Sequence, residues 1–445
     1  MLWFRSGDTG YPDAWDPRVV EYVDIVEAQR DLDFEHPIYV DFLPVDEFKK
    51  QVAENEDELT EEDRKELEQT TGVFRALGLL EGKIDLFETT NKLHQAGIVG
   101  YYSFDDQRIR IRGTELTPEV QSTLVHELTH ALQDQHFGVS KRYDALEEAD
   151  DDAAASAYQA LVEGDARRIE AEWREELSED DRAELAKAQV DQYKQFQKDA
   201  KDIPEVLDTL MASPYEFGEA MLRVAVEEGG TDAVDDLFES PPTTEEHELD
   251  PWTLVVGHEQ PLDVPEPTLA KGEKEFDSGP FGALSWLVVL AERVPPKMAL
   301  TAADGWGGDA YVGFERDGAT CVKVNYQGES NQDLTEMQDA LAAWASAVPD
   351  SDTHVEVDDD SLVLELESCD PGPRATPVAT GGSKAAVRLA LSRTYLSATL
   401  ADGGYEPEAA RCAADRLVRA FTVAELNSPK TKPEQVRRVI EPCLA

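Results

Sequence analysis

The chain carries, at residues 122–132, the stretch Ser122-Thr123-Leu124-Val125-His126-Glu127-Leu128-Thr129-His130-Ala131-Leu132, which decides how its fold is interpreted. The apolar residues of this stretch recur at the spacing of a helix with one buried face. Just upstream, Thr117-Pro118-Glu119 is typical of a helix start, with a threonine cap followed by a proline in the first turn. We therefore predict a helix from Pro118 to about His136.

The spacing of three side chains on this helix predicts a metal site. Two imidazoles four residues apart lie on one face of a helix, so both can bind the same zinc ion. The glutamate that follows the first histidine lies beside them and can reach a water molecule on that ion. His126 and His130 are therefore predicted zinc ligands, and Glu127 is the predicted general base. The alternative, two unrelated histidines with a glutamate between them, is disfavoured because this pattern seldom arises by chance.

A catalytic zinc site needs a third protein ligand and leaves one position for water. One candidate is His136, ten residues after His126, which is the spacing of the metzincin metallopeptidases. In that pattern a glycine lets the chain turn back, but this chain has Gln133 there, so His136 would continue up the helix and away from the site. The other candidate is Glu163, a carboxylate on a second predicted helix, and it is favoured because this arrangement resembles that of the gluzincin metallopeptidases.

The motif at residues 126–130, followed by Glu163-Gly164-Asp165-Ala166, resembles the gluzincin zinc metallopeptidases, in which a Glu-Gly-x-Ala helix supplies the third ligand. More narrowly, roughly residues 15–330 resemble a group of predicted secreted, acidic metallopeptidase-like proteins of actinobacteria and haloarchaea. The narrower resemblance also rests on four further stretches: Leu132–Phe137, Pro214–Glu219, Pro241–Glu245 and Gly305–Asp309. The resemblance implies a zincin-like fold, a Zn²⁺ cofactor, a peptide or protein substrate, and Glu163 as the third metal ligand.

The chain departs from these families at two positions. Thermolysin-type gluzincins place an aspartate four residues after the glutamate ligand to orient a histidine, and this chain has Arg167 there. The narrower group implies His-Pro where this chain has Asp250-Pro251. Asp165 falls inside the apolar stripe of its predicted helix, where a buried carboxylate needs partners. We interpret Asp165 either as orienting a zinc-bound imidazole or as paired with Arg168.

Peptide hydrolysis also requires a donor for the oxyanion that develops in the transition state. Gluzincins commonly use a tyrosine or histidine from a later helix, and the resemblance favours Tyr215, at the predicted helix start Pro214–Gly218. His247 and His258 are the next candidates, and a half-buried packing role is the other interpretation of Tyr215.

Two segments upstream of the predicted zinc helix, Ile98–Phe104 and Gln107–Arg112, alternate as strands and predict a hairpin. We expect the second strand to be the sheet edge along which zincins bind an extended peptide. Its three arginines, Arg108, Arg110 and Arg112, would either attract acidic segments of a substrate or protect this edge from aggregation.

Composition limits the class of protein and its partners. The chain has 445 residues, of which 41% are hydrophobic, enough for two or three domains. Its 41 basic and 94 acidic side chains give a net charge of −53, which argues against nucleic acid and anionic membranes as partners. No segment approaches the roughly 20 apolar residues of a membrane span, so we expect no membrane insertion. No feature of the sequence indicates an oligomeric state.

The four cysteines lie in the last third of the chain and avoid the spacing of zinc-binding pairs. We favour two disulfides, Cys321–Cys369 and Cys412–Cys443, because each would close one compact unit, and the alternative is four reduced thiols in the core. Disulfides would place the protein outside the cell or on its surface. The first residues lack the apolar segment of a signal peptide, so we expect the signal or anchor to lie outside this chain.

Together these patterns predict an α+β protein in three parts. Residues 1–240 would form a zincin-like metallopeptidase domain, mostly helical with a small antiparallel sheet, and residues 241–370 a mixed α/β domain packed on it. Residues 383–445 would form a small helical C-terminal module linked by a disulfide. The favoured function is zinc-dependent hydrolysis of peptide bonds, and the alternative is a non-enzymatic cell-surface protein that binds a partner on a zincin scaffold. Glu127 argues against the alternative, because a binding scaffold has no need for a base between two ligands.

The net charge of −53 also predicts that salt stabilises the fold. Repulsion between like surface charges extends over about 10 Å at 0.1 M salt and over about 3 Å at 1 M. We expect the melting temperature, measured by circular dichroism, to rise by several degrees between low salt and molar KCl. A melting temperature that stays constant across this range would contradict the prediction.

Overall fold

The computed structural model of the chain describes residues 10–149, 151–257, 260–347, 352–358, 362–374, 381–426, 428 and 430–443. It shows a mixed α and β protein in which helices predominate, in agreement with the predicted α+β class. Contacts between residues group the chain into two compact units. The first consists of Met1–Leu59, Leu86–Ala149 and Val162–Ile203, and the second of Thr60–Asp85, Asp150–Leu161 and Pro204–Ala445. In the described part of the chain, no helix is both long and apolar enough to cross a membrane.

The helices and strands follow one another along the chain. Up to residue 239 they are α1 (Val20–Arg30), β1 (Tyr39–Leu43), α2 (Val45–Val52), α3 (Glu61–Ala76), α4 (Leu86–Gly97), β2 (Gly100–Ser103), β3 (Arg108–Arg112), α5 (Pro118–Phe137), α6 (Val139–Glu148), α7 (Asp152–Glu176), α8 (Glu179–Asp199), α9 (Glu205–Gly229) and α10 (Asp232–Glu239). From residue 246 onward they are α11 (Glu246–Leu249), β4 (Lys274–Gly279), α12 (Ala283–Ala291), α13 (Pro296–Ala303), β5 (Trp306–Arg316), β6 (Ala319–Gly328), α14 (Asn331–Ser346), β7 (Thr353–Asp358), β8 (Val363–Cys369), α15 (Ser383–Asp402), α16 (Pro407–Ala420), α17 (Val423–Leu426) and α18 (Pro433–Ile440). Short turns of other helix types occur at Glu56–Glu58, Thr253–Gly257 and Glu441–Cys443.

The sheet of the first unit has three strands in the order β1-β3-β2. Strand β3 pairs with β1 in parallel and with β2 in antiparallel register, so this sheet is mixed and not purely antiparallel as predicted. The expectation that the second strand of the hairpin forms the sheet edge is wrong, because β1 pairs along its whole length, from Tyr39↔Arg108 to Leu43↔Arg112. The edge strands are instead β1 and β2, and β2 packs against α5.

Two arginines of β3 have carboxylate partners close by. Arg108 pairs with Asp41 of β1 at 3.0 Å and lies over the ring of Tyr39. Arg110 pairs with Asp106, in the turn of the hairpin. These ion pairs are local features of a strand that lies in the middle of the sheet.

Helix α5 packs its apolar face on this sheet, and the core between them contains fully buried side chains, which include Ile109, Ile111, Leu124 and Leu128. The helix begins as predicted, since the Thr117 hydroxyl accepts a hydrogen bond from the N–H of Val120 at 3.4 Å and Pro118 occupies the first turn. It ends at Gly138, whose φ of 64° is in the left-handed region that favours glycine. The cap and the glycine thus fix the length of the helix that carries the predicted site.

The second unit is built on a five-stranded antiparallel sheet with the strand order β4-β5-β6-β8-β7. Helix α3 packs on β6, where Gly72 permits the close approach, since a Cβ at this position would lie 2.5 Å from the Thr320 side chain. Cys321 of β6 and Cys369 of β8 face each other in the register and form a disulfide. A second disulfide, Cys412–Cys443, joins the end of the chain to α16. Both predicted disulfides are confirmed, and they indicate a protein that resides outside the cytoplasm.

Helices α9 and α8 are among those that differ from the prediction, and both do so for local reasons. Helix α9 begins at Glu205, and Pro214 lies in its interior, so the predicted helix start at Pro214–Gly218 is wrong. Proline lacks the N–H that would bond to the carbonyl of Leu210, and the Ser213 hydroxyl donates to that carbonyl instead, at 2.8 Å. Helix α8 was not predicted, because Leu185 is its one buried residue within the described chain and its apolar pattern is weak.

The border between the two units falls inside α7, between Leu161 and Val162. Each unit consists of several segments that alternate along the chain. The predicted domains, in contrast, are continuous stretches of sequence. The three-part organisation with limits near residues 240, 370 and 383 stays a prediction.

Candidate metal centre

Three of the predicted site residues come together in the first unit. Helix α5 carries His126 and His130 one turn apart, and α7 presents Glu163 to them. The Nε2 atoms of the two histidines are 3.1 Å apart, and they lie 3.2 and 3.3 Å from Oε2 of Glu163. In the described part of the chain, no other group of three or more histidine, cysteine or acidic side chains is close enough to hold a metal ion.

The triangle of these three atoms fits a zinc ion. Ligand atoms about 2.0–2.1 Å from a tetrahedral ion are about 3.3–3.4 Å from one another, which is close to the three distances observed. Two imidazole nitrogens and one carboxylate oxygen are also a donor set of catalytic zinc sites, with a fourth position left for water. Without a shared cation or proton, three acceptor atoms so close together would repel one another. The chain therefore provides a group that can bind a metal ion.

The other ring nitrogen of His126 faces a carboxylate that the sequence analysis did not identify. Nδ1 of His126 lies 3.7 Å from Oε2 of Glu170, a residue of α7 that is 6% exposed. The Ser122 hydroxyl and the Arg174 guanidinium both donate to the other oxygen of Glu170. These donors hold the carboxylate in place beside the His126 ring, where its charge is positioned to support the imidazole.

Glu170, and not the residue at position 167, supplies the carboxylate that faces His126. Arg167 stands where thermolysin-type gluzincins have an orienting aspartate, and its Nη1 lies 3.4 Å from Oε2 of Glu170. The carboxylate that faces His126 is therefore seven residues after Glu163 and not four. Seven residues are two helical turns, so Glu163 and Glu170 share one face of α7. This spacing is compatible with a carboxylate beside the histidines, but in a chain with 94 acidic residues it does not single out Glu170.

An amide, and not a carboxylate, supports His130. Nδ1 of His130 donates to Oε1 of Gln133 at 3.0 Å, and Nε2 of Gln133 donates to Oδ2 of Asp165 at 3.0 Å. Asp165 is fully buried and forms ion pairs with Arg30 at 2.9 Å and with Arg168 at 2.8 Å. Asp165 is thus paired with Arg168, as one interpretation predicted, and it reaches the imidazole through Gln133. The residue that replaces the metzincin glycine therefore positions a predicted zinc ligand.

Glu127 is buried on α5 next to the two histidines, with 5% of its surface exposed. Strand β2 passes it at Gly100, where a Cβ would collide with the Thr123 side chain and lie 3.2 Å from Oε1 of Glu127. Glycine therefore allows the strand to approach the carboxyl closely. Burial raises the pKa of Glu127, although the neighbouring histidines partly oppose this shift. Glu127 is accordingly a stronger base than an exposed glutamate.

The charges of the site favour a cation. Burial lowers the pKa of His126, but the carboxylates of Glu163 and Glu170 outweigh this effect and raise it to about 10. Burial raises the pKa of Glu163, but His130 and His126 outweigh it and hold this pKa far below its ordinary value. The carboxylates thus stabilise positive charge at the imidazoles, as they would stabilise a bound metal ion.

His136, the other candidate for the third ligand, does not join the group. Helix α5 continues through it to Phe137, as expected for a chain without the metzincin glycine. Nε2 of His136 donates to the carbonyl oxygen of Asp33 at 2.7 Å. The structure therefore brings Glu163, and not His136, to the two histidines.

The predicted oxyanion donors belong to the second unit. Tyr215 is half-buried on α9, and its role stays a prediction. His247 is buried on α11, with Nδ1 at 3.0 Å from the hydroxyl of Thr253. His258 lies outside the described residues.

Replacing Glu170 by glutamine should weaken zinc binding by about 10–100-fold, the range typical of residues that support a metal-bound histidine. Glutamine keeps the volume of the side chain but removes the charge that faces Nδ1 of His126. Zinc affinity would be measured by competition with a chromogenic chelator. Glu175→Gln is the matched control, since it makes the same charge change on the exposed surface of α7 and should leave the affinity unchanged. Equal affinities of the native chain and Glu170→Gln would show that Glu170 does not support the site.

A comparison of the chain with protein-family models, with curated proteins and with solved structures found no match. We therefore infer function from the side chains of the metal centre.

Proposed function

We propose that the chain is a zinc-dependent hydrolase of peptide bonds. The observation that carries this proposal is the triangle of His126, His130 and Glu163, with the carboxyl of Glu127 buried beside it. A structural zinc site closes its coordination with four protein ligands and needs no base. The metal group of this chain offers three ligand residues, the number typical of catalytic zinc sites.

Each polar group of the site has a role in this proposal. When bound, zinc would act as a Lewis acid that polarises the substrate carbonyl and lowers the pKa of water. Glu127 would accept a proton from the attacking water and then donate it to the leaving amine. His126 and His130 would present their Nε2 lone pairs, because their Nδ1 atoms face the supporting side chains. Tyr215 remains the proposed donor to the oxyanion.

The proposed substrates are peptides or proteins. Strand β2 is one of the two edge strands of its sheet, and Gly100 of this strand lies against Glu127. An extended peptide that paired with this edge would form main-chain hydrogen bonds and pass close to the predicted base. This geometry supports an extended polypeptide as the substrate.

We place this activity outside the cell or at its surface. The disulfides Cys321–Cys369 and Cys412–Cys443 are stable under oxidising conditions, which support this location. The net charge of −53 also suits a protein that acts in salt and has no nucleic-acid partner.

Removal and return of the metal tests the proposal. Protein reconstituted with zinc should contain about one zinc ion per chain and should cleave casein or a mixed peptide library. Treatment with 1,10-phenanthroline should abolish cleavage, and zinc but not magnesium should restore it, because two imidazole ligands favour zinc. Circular dichroism would check that the metal-free chain stays folded. Well under one metal ion per chain after reconstitution, or cleavage that persists without metal, would refute the proposal.

A further inference from the structure

The second unit contains a cavity of 820 Å³ lined by α3, β4 and α12, within the size range of small-molecule sites. One wall is apolar and includes Phe74 of α3, Phe276 of β4 and Val288 of α12. The charged side chains among its lining residues are six carboxylates and one basic group, that of Lys65. The cavity therefore combines an apolar surface with an excess of negative charge.

Glu245 differs from the other carboxylates of the cavity because it is buried, with 7% of its surface exposed, whereas the other five are exposed. The carboxyl of Glu245 lies against Gly282, where a Cβ would collide with this carboxyl. Ser285 donates to it through its N–H, at 2.9 Å, and its hydroxyl, at 3.5 Å. Burial raises the pKa of Glu245 to about 7. A carboxylate in such a setting is stabilised by a cation.

No such cation is supplied by the described residues, among which no basic side chain pairs with Glu245. Two other buried carboxyl groups interact with Glu245. Asp309 raises the pKa of Glu245 through its charge, and Glu248 is fully buried, with one oxygen that lacks a hydrogen-bond partner. A metal ion does not suit this region, because the described residues bring three metal-ligating side chains together only at His126, His130 and Glu163.

We propose that this cavity binds a small organic amine, with its ammonium group at Glu245 and its apolar body against the wall of α3, β4 and α12. An ammonium group donates three hydrogen bonds, and a carboxylate has about four lone-pair sites, so Glu245 retains one beyond its two bonds from Ser285 and the bond from the backbone N–H of Leu284. Hydrocarbon or an aromatic ring on the ligand would be buried against Phe74 and Phe276. The five exposed carboxylates attract any cation and do not select the ligand. This site is independent of the proposed hydrolysis.

Calorimetric titration of the full chain in 1 M KCl tests the proposal, with phenethylamine and its neutral counterpart 2-phenylethanol as probes. The salt screens the attraction of any amine to a protein with a net charge of −53. We expect one amine to bind per chain, about tenfold or more tightly than the alcohol, as for a hydrogen bond to a charged group. Equal affinity for the two probes, or no saturable binding of the amine, would overturn the proposal.

Glu245→Gln should weaken binding of the amine by about tenfold or more and leave binding of the alcohol unchanged, since glutamine still accepts from Ser285. Glu62→Gln is the matched control, because it makes the same charge change at an exposed position of the cavity. An equal loss in both variants would mean nonspecific attraction to the acidic surface and would overturn the proposal. Thermal melting would check that Glu245→Gln is folded. If this variant does not fold, the affinities of the native chain for the amine and the alcohol still test the proposal.

Discussion

Glu127→Gln should keep its zinc and lose its peptidase activity, with cleavage slowed by about 10²–10⁴-fold or more. Glutamine has the size of glutamate, so the packing of this side chain against Gly100 is preserved. The amide cannot accept a proton from the attacking water, which is the role proposed for the buried carboxylate. The three metal-binding side chains are unchanged in this variant. This variant should therefore lose activity while it keeps its metal. Loss of a metal ligand, in contrast, would lower metal content and activity together.

Zinc content and casein cleavage would be measured on the native chain, on Glu127→Gln and on Glu119→Gln. Glu119 lies in the first turn of the same helix, outside the metal group, so its replacement removes the same charge without touching the site. Cleavage by the native chain and Glu119→Gln, but not by Glu127→Gln, is the expected result. Undiminished cleavage by Glu127→Gln would contradict it. Zinc in all three with cleavage in none would favour the alternative of a non-enzymatic cell-surface protein that binds a partner on a zincin scaffold.

The part of the metal centre that could be predicted from the sequence depends on one helix. His126, Glu127 and His130 lie within five consecutive residues, and helical geometry alone puts the two imidazoles on one face. Glu163 is 37 residues after His126, and a separation of this length carries no geometric information by itself. The resemblance to gluzincins was needed to choose it over His136.

The supporting side chains could not be chosen in the same way. In a chain with 94 acidic residues, a single glutamate such as Glu170 is indistinguishable by type from a solvated surface residue. What sets Glu170 apart is its burial beside Ser122 of another helix, which is a result of tertiary packing. The contact between Arg30 and Asp165 likewise joins distant parts of the chain, and no local pattern predicts it.

The same distinction explains the sheet of the first unit. The antiparallel hairpin of β2 and β3 is a local structure, and the alternation of its two segments predicted it. The parallel partner β1 lies far upstream, so its pairing depends on the packing of the intervening helices. The predicted edge was wrong for this reason. The edge strand that lies next to the metal group is β2, and its Gly100 lies against Glu127.

Glu163→Ala should lower the affinity for zinc by about a hundredfold or more, because it removes one of three ligands. His136→Asn should leave the affinity unchanged, since His136 donates to the carbonyl of Asp33 and lies outside the metal group. The two variants therefore distinguish the gluzincin arrangement from the metzincin one. Each replaces a side chain that faces a histidine or a backbone carbonyl, so both should remain folded.

Affinity for zinc would be measured by chelator competition, and melting temperatures of the metal-free variants would verify the fold. Glu163→Gln provides a second test, because it keeps the side-chain volume but replaces the charged oxygen that lies 3.2 Å from His126 and 3.3 Å from His130. An amide oxygen is a weaker ligand for zinc than a carboxylate, so this variant should also bind zinc poorly. Loss of zinc in His136→Asn, with full binding in Glu163→Ala, would instead require α5 to unwind after His130 in the metal-bound protein. The gluzincin arrangement would then be wrong, although the two histidines would keep their role as ligands.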